Sequence, residues 1–253
     1  MHADESSNQR FLRLDEIRLV AIVIMVVDHS LLFLTNNSVL SGVARATLTR
    51  CAEPLFVFVF ASLAIRSGQP VRLRRWLQIA VVSAATSVIL STTLDRAMMD
   101  ILVSIALVAP LVPFVSRLPP PLVLVCTYVT AVLAVIPLTV FGVEFNYNPI
   151  LILYQAMLVR LGDVNRGLNN PKLHIIVSSI LVIVIAVFLK RRGIDATTTV
   201  LIVGFGHPLA YAVIRVVSDR RLRLPNGAVP LARHPLAVYA SHLIVLAALA
   251  RGF

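Results

Sequence analysis

The sequence predicts an all-α fold: a polytopic transmembrane helical bundle. Three observations predict it. Hydrophobic residues make up 58% of the 253 and charged residues only 14%, whereas a soluble domain is nearer half apolar and a quarter charged. The apolar residues come in long runs, enough for about 8–10 spans at roughly 20 residues each. Strand-type alternation is absent, which argues for a bundle over a barrel.

Nine apolar segments follow one another, at residues 17–35, 52–66, 76–94, 99–117, 121–142, 149–162, 173–190, 197–217 and 235–250. Several carry proline: Pro54, Pro110, Pro113, Pro137 and Pro208. Membrane helices tolerate proline where neighbours re-satisfy the freed carbonyls. No repeat, low-complexity tract or long linker divides the chain, so residues 1–253 read as one integral-membrane domain. Residues 1–16, "MHADESSNQRFLRLDE", are polar and carry no signal-peptide cleavage pattern. They read as a cytoplasmic N-terminal segment before a retained helix.

The net charge is +11, and the positive-inside rule accounts for most of it. No basic soluble domain is present, so nucleic acid is not an expected partner. The loop "RSGQPVRLRRW" holds Arg66, Arg72, Arg74 and Arg75. It is expected in the cytoplasm, which puts the N-terminus there and the polar loop "TNNSVLSG" opposite. "KRRG" (190–193) and "SDRRLR" (218–223) flank one apparent span containing "GFGHP". Both cannot be cytoplasmic if that span crosses once. Cys51 and Cys126 have neither metal spacing nor a partner pattern and read as small buried hydrophobes. No His, Cys and carboxylate group has metal-ligand spacing, so no metal is expected.

The first apolar run, "RLVAIVIMVVDHSLLFL", places Arg18, Asp28 and His29 where lipid is expected. An ionisable group at that depth costs at least ~2.5–3.5 kcal/mol, so such groups face a cavity or a partner. Arg18 and His29 are eleven residues apart, close to three turns, and project from nearly one face about 16 Å apart along the axis. Asp28 points about 100° away. Histidine can move a proton or carry an acyl group, and arginine suits a phosphate or carboxylate. The plain alternative has Arg18 snorkelling to headgroups and His29 bonded to a carbonyl. An anionic ligand reactive at its far end fits the stripe better.

"RLDEIRLVAIVIMVVDHSLLFL" resembles the opening of the acyltransferase-3 family of membrane acyltransferases, in which an arginine is followed after ten residues by a histidine. Leu14, Asp15, Arg18 and His29 carry that likeness. The Asp28-His29 pair looks more like the related heparan-glucosaminide N-acetyltransferase and TraX pilin-acetylase branches. "EPLFVFVFASLAIRSG" resembles their second helix, Arg72 and Arg75 their arginine-x-x-arginine loop, and "HPLAVYASHLIVL", with Tyr239 and His242, their last helix. Residues 95–230 match no motif. Leu19 stands where those families usually have glycine, and the chain is shorter than their usual members.

The resemblance implies an enzyme that moves an acyl group, commonly acetyl, from cytoplasmic acyl-CoA to a glycan, lipid or protein acceptor. His29 is then the catalytic residue, as base or acyl carrier. Asp28 orients its ring, and Arg18, Arg72, Arg74 and Arg75 hold the donor phosphates. Glu53 is a further catalytic candidate; a carboxylate favoured at a helix N-terminus explains it about as well. Tyr239 and His242 are expected to bind substrate, and a hydrogen-bonded core histidine is the plain alternative for His242. His207 and His234 precede prolines and mark helix breaks, and His174 is interfacial. The expected location is a bacterial inner membrane, and a homodimer is compatible with the sequence. The competing function is a proton-coupled transporter or flippase, with Asp28 and His29 as relay and "GFGHP" as a broken helix. A third is an assembly protein without catalysis.

Overall fold

A computed structural model describes residues 2–34, 49–69, 71–95, 98–136, 139–140, 143–145, 147–163, 170–193, 197–220 and 229–252. The "TNNSVLSG" loop and residues 221–223 of the second basic cluster lie outside them. The described chain is overwhelmingly helical: α1 (His2–Leu34), α2 (Ala52–Ser67, after a 3₁₀ turn at Thr49–Cys51), α3 (Leu73–Leu94), α4 (Ile101–Val108), α5 (Val112–Val115), α6 (Pro120–Leu133), α7 (Pro149–Asp163), α8 (Pro171–Arg191), α9 (Thr197–Leu201), a π-helical stretch (Ile202–Gly206), α10 (His207–Arg220), α11 (Val229–Arg233) and α12 (Pro235–Gly252). Four stretches are long and apolar enough to cross a membrane: Leu14–Leu34, Leu73–Thr93, Lys172–Arg191 and Thr197–Val217. Shorter apolar helices cover Pro120–Leu133, Pro149–Gly162 and Pro235–Ala250. The expected helical membrane bundle is therefore the observed architecture.

Two local features interrupt the helices. Short strands sit between the helices: β1 (Met98–Met99), β2 (Thr139–Val140) and β3 (Val143–Phe145) form a small sheet in the order β1-β3-β2. β1 lies parallel to β3, with Met98 opposite Glu144, and β2 lies antiparallel to it, with Thr139 opposite Glu144. Strands of two or three residues are too short to leave a period-2 signal. The apolar segment 99–117 is also broken, into α4 and α5, where Pro110 removes a backbone donor.

The chain packs as two compact units. One comprises residues 1–59 and 205–253; the other comprises 60–204.

In the first unit, α1 runs for 33 residues, about 50 Å at the helical rise. That exceeds a hydrocarbon core of about 30 Å, so the polar N-terminal residues extend the helix instead of forming a loop. Leu14, Ile17, Ala21, Ile22 and Met25 make its buried stripe. On α12 the matching stripe is Tyr239, Leu243, Leu246 and Ala247. Contacts from α1 advance in the same direction on the C-terminal segment, from Ala232 opposite Arg18 to His242 opposite His29. The two segments therefore run parallel.

The π-helical stretch ends in a close approach. A Cβ on Gly206 would lie 2.5 Å from the carbonyl oxygen of Arg50 in the 3₁₀ turn and 3.5 Å from Pro54 Cγ. Only glycine lets these backbones meet. The expected "GFGHP" break is thus a π turn within the continuous apolar stretch Thr197–Val217. "KRRG" and the start of "SDRRLR" stand at its two ends.

In the second unit, caps and prolines fix the helix starts. Asp100, 1% exposed, accepts from the Ile101 N–H through Oδ1 at 2.7 Å and from Thr86 Oγ1 through Oδ2 at 2.7 Å. It thereby caps α4 and pins it to α3. Asn148 accepts from the Ile150 N–H at 2.9 Å and donates to the carbonyls of Ala134 and Ile136 at 3.1 and 2.8 Å. One side chain thus caps α7 and closes the end of α6. Trp76 Nε1 donates to the Ala106 carbonyl at 2.9 Å. Small residues Ala131, Ala134 and Ala186 let α6 and α8 approach around Leu151, Tyr154 and Ile202, as membrane helices require when lipid supplies no hydrophobic drive. Ile176, Ile180, Val184 and Val187 form an exposed apolar row on α8, spaced to face lipid along one side.

The same unit sorts its cations. Arg66, Arg72, Arg74, Arg75 and Arg117 are all exposed at one end, where Arg117 Nη2 approaches the Gly68 carbonyl at 3.4 Å. α8 runs away from that end: Val182 and Ala186 pack on the last turn of α6. Lys190, Arg191 and Arg192 are therefore at the opposite end of this unit.

Candidate functional site

The site lies in the first unit, between α1 and α12. His29 Nδ1 sits 2.7 Å from His242 Nε2. The ring centroids are 5.0 Å apart and the planes differ by 15°. Nearly coplanar rings reach that separation when their nitrogens meet end-on, so this is an in-plane hydrogen bond and not a stack. Tyr239, 5% exposed, stands edge-on to both rings, at 5.9 Å from His29 and 5.5 Å from His242. Phe33 lies 6.4 Å from His29. Two partly buried imidazoles thus share a bond inside an aromatic collar.

His242 is anchored from behind. Its Nδ1 lies 2.9 Å from the carbonyl oxygen of Val238, one turn earlier on α12. A carbonyl only accepts, so that nitrogen carries the proton. The expectation that Asp28 orients the His29 ring therefore meets a different arrangement at Nδ1, where the neighbour is His242. Asp28 is partly buried on α1.

Arg18 lies eleven residues before His29 on the same helix. Its Nη1 pairs with Asp15 Oδ1 at 2.6 Å and donates to the Ala232 carbonyl at 2.9 Å. Ala232 is in the last turn of α11, whose carbonyls carry the negative end of the helix dipole. Arg18 thus ties α1 to the hinge at His234 that precedes α12. Glu53, 3% exposed, lies in the first turn of α2 in the same unit. Glu16 is likewise buried, at 8% exposed; the sequence places it in a polar tail, and only the helix running through that tail brings it inside.

The structure brings together His29, His242 and Tyr239 from the expected residues, with Arg18 near the start of the same helix pair. Arg72, Arg74 and Arg75 belong to the other unit, at its arginine-rich end, with Arg75 Nη1 3.3 Å from Gln78 Oε1. Asp15 and the short helix α11 contribute to the site without having been expected there. The i, i+3 spacing of Asp15 and Arg18 was the available signal. Among the described residues, no group of three or more His, Cys, Asp or Glu could hold a metal ion.

The family "TraX protein" matches residues 13–250. The chain belongs to the TraX family. The match begins just before the Asp15–Arg18 pair, ends after His242 and includes both compact units. No curated protein and no solved structure matches. Within this TraX chain the family match and the apolar helices agree that it is a membrane protein.

Proposed function

We propose that this TraX chain is an acyltransferase of a bacterial inner membrane, moving an acyl group from cytoplasmic acyl-CoA to an acceptor at or across the membrane. The observation that carries the reading is the His29–His242 pair in otherwise apolar helices. Ionisable groups at such depth are costly and mark function. The first-helix likeness to membrane acyltransferases points to acyl transfer as that function.

In this reading His29 acts at the thioester. As a base it takes the proton of an acceptor hydroxyl or amine; as a nucleophile it carries the acyl group before passing it on. Tyr239, Phe33 and the apolar helix walls keep water away from the thioester. Arg72, Arg74 and Arg75 suit the donor's phosphates by forked hydrogen bonds. Arg18 serves the same site by holding the start of the α12 segment against α1. The acceptor is a glycan, a lipid or a protein.

The test is coenzyme A release. Wild-type protein in liposomes, given acetyl-CoA and an envelope extract, should liberate free thiol. His29→Ala should lose on the order of 10²–10⁴-fold of that rate, the usual worth of a positioned acid–base. A transporter would free no coenzyme A in either form. Full thiol release by His29→Ala would remove the acyltransferase assignment from this site.

A further inference from the structure

We propose that His242 is the positioning residue that sets the tautomer of His29, so that Nε2 is the nitrogen offered to the reacting groups. The inference deepens the acyl-transfer reading and rests on it for its chemistry.

The Val238 carbonyl can only accept, and His242 Nδ1 lies 2.9 Å from it. His242 Nδ1 therefore bears hydrogen. In a neutral imidazole the other nitrogen then holds the lone pair. That nitrogen, His242 Nε2, meets His29 Nδ1 at 2.7 Å. With both rings neutral, His29 Nδ1 must donate, because two facing lone pairs would repel at that distance. His29 Nε2 is then the basic nitrogen. The direction of the whole chain is dictated by a helix carbonyl, which cannot reverse.

Tyr239 holds the arrangement in place. Its ring stands at 81° to His29 and 84° to His242, against the edges of both. Such edge contacts resist ring rotation, the motion that would put a ring carbon in place of His29 Nδ1 and break its bond to His242.

The consequence is a defined proton path. In the general-base route the acceptor X–H gives its proton to His29 Nε2 as X attacks the thioester carbonyl. The X–acyl bond forms and the carbon–sulfur bond breaks. The leaving thiolate recovers the proton from Nε2–H, giving acyl-X and free coenzyme A. Between these events His29 is an imidazolium, and its Nδ1–H to His242 becomes a charge-assisted bond of roughly twice the neutral strength. In the acyl-carrier route the same tautomer leaves Nε2 as the nucleophile.

The experiment uses the full-length protein in nanodiscs, with ¹⁵N-labelled histidine, and compares wild type, His242→Ala and His242→Gln. A glutamine carbonyl can accept from His29 Nδ1–H but cannot hold a proton. In wild type the His29 signals, assigned by their loss in His29→Ala, should show protonated Nδ1 and bare Nε2. In His242→Ala they should show mixed tautomers. The kcat for coenzyme A release should fall on the order of 10²-fold or more, with KM for acetyl-CoA unchanged, as for other catalytic histidines that lose their orienting partner. His242→Gln should recover most of the lost kcat and restore the single tautomer. Protonated Nε2 in wild type would overturn the inference, and so would a folded His242→Gln protein as impaired as His242→Ala. If wild type frees no coenzyme A yet shows the expected tautomer, the acyl-transfer reading fails while the tautomer assignment stands.

Discussion

Arg18 makes two contacts that depend on its charge, to Asp15 and to the Ala232 carbonyl. Both are partly buried, with 16% and 19% exposure of the two side chains of the ion pair. Hydrogen bonds to charged groups are worth about 1.5–3 kcal/mol. Arg18→Gln should therefore lower stability in detergent by about that amount, seen as a lower denaturation midpoint. Asp15→Asn should cost less, because the Ala232 bond survives. A midpoint unchanged by Arg18→Gln would mean that the guanidinium serves a ligand and not the fold. At this scale the sequence was partly readable. The eleven-residue spacing put Arg18 and His29 on one face, and His242 was visible as a lone histidine in an apolar helix. What was not legible was their meeting, across a sequence separation of 213 residues. Helical period tells which face a residue shares, but not which helix will cover that face.

Helix boundaries were the more legible level. Pro120, Pro149, Pro171 and Pro235 each open a helix, where the missing N–H costs nothing and φ is already set. The π stretch was legible only as an irregularity at "GFGHP", because the carbonyl that Gly206 meets, on Arg50, is distant in sequence. That approach makes a sharp contrast. Gly206→Ala forces the Arg50 backbone to move and should destabilise by about 1–3 kcal/mol, the range for overpacking. Gly204→Ala, whose added Cβ meets only Ile183 Cδ1 at 3.9 Å, should be tolerated. Thermal denaturation of the two variants side by side checks this, and equal midpoints would contradict the close-approach explanation. Asp100→Ala should also destabilise, by about 0.5–2 kcal/mol, since it removes an N-cap and the Thr86 bond that ties α4 to α3.

The whole molecule is governed by lipid and by charge. Composition alone announced the membrane bundle, because no soluble fold accommodates so many long apolar runs. Which end of the second unit carries the cluster around 190 needed the packing, since the sequence gives its charge but not its direction. In the second unit Gln69 and Gly193 stand at opposite ends. Single cysteines placed there on a background lacking Cys51 and Cys126 should be labelled by an impermeant maleimide from opposite faces of sealed vesicles. Labelling of both from one face would break the assignment of ends. Neutralising Arg72, Arg74 and Arg75 to Gln should raise KM for acetyl-CoA while leaving kcat nearly intact, with the wild-type KM rising as salt is added. An unchanged KM would take these arginines out of donor binding. The acyl-transfer account itself is tested most directly by following the acyl group. Cells carrying either the wild-type chain or His29→Ala are fed isotopically labelled acetate, and their envelope glycans, lipids and proteins are compared by mass spectrometry. The account predicts a labelled acetyl adduct present with the wild-type chain and absent with His29→Ala. The same adduct at the same level in both would contradict it.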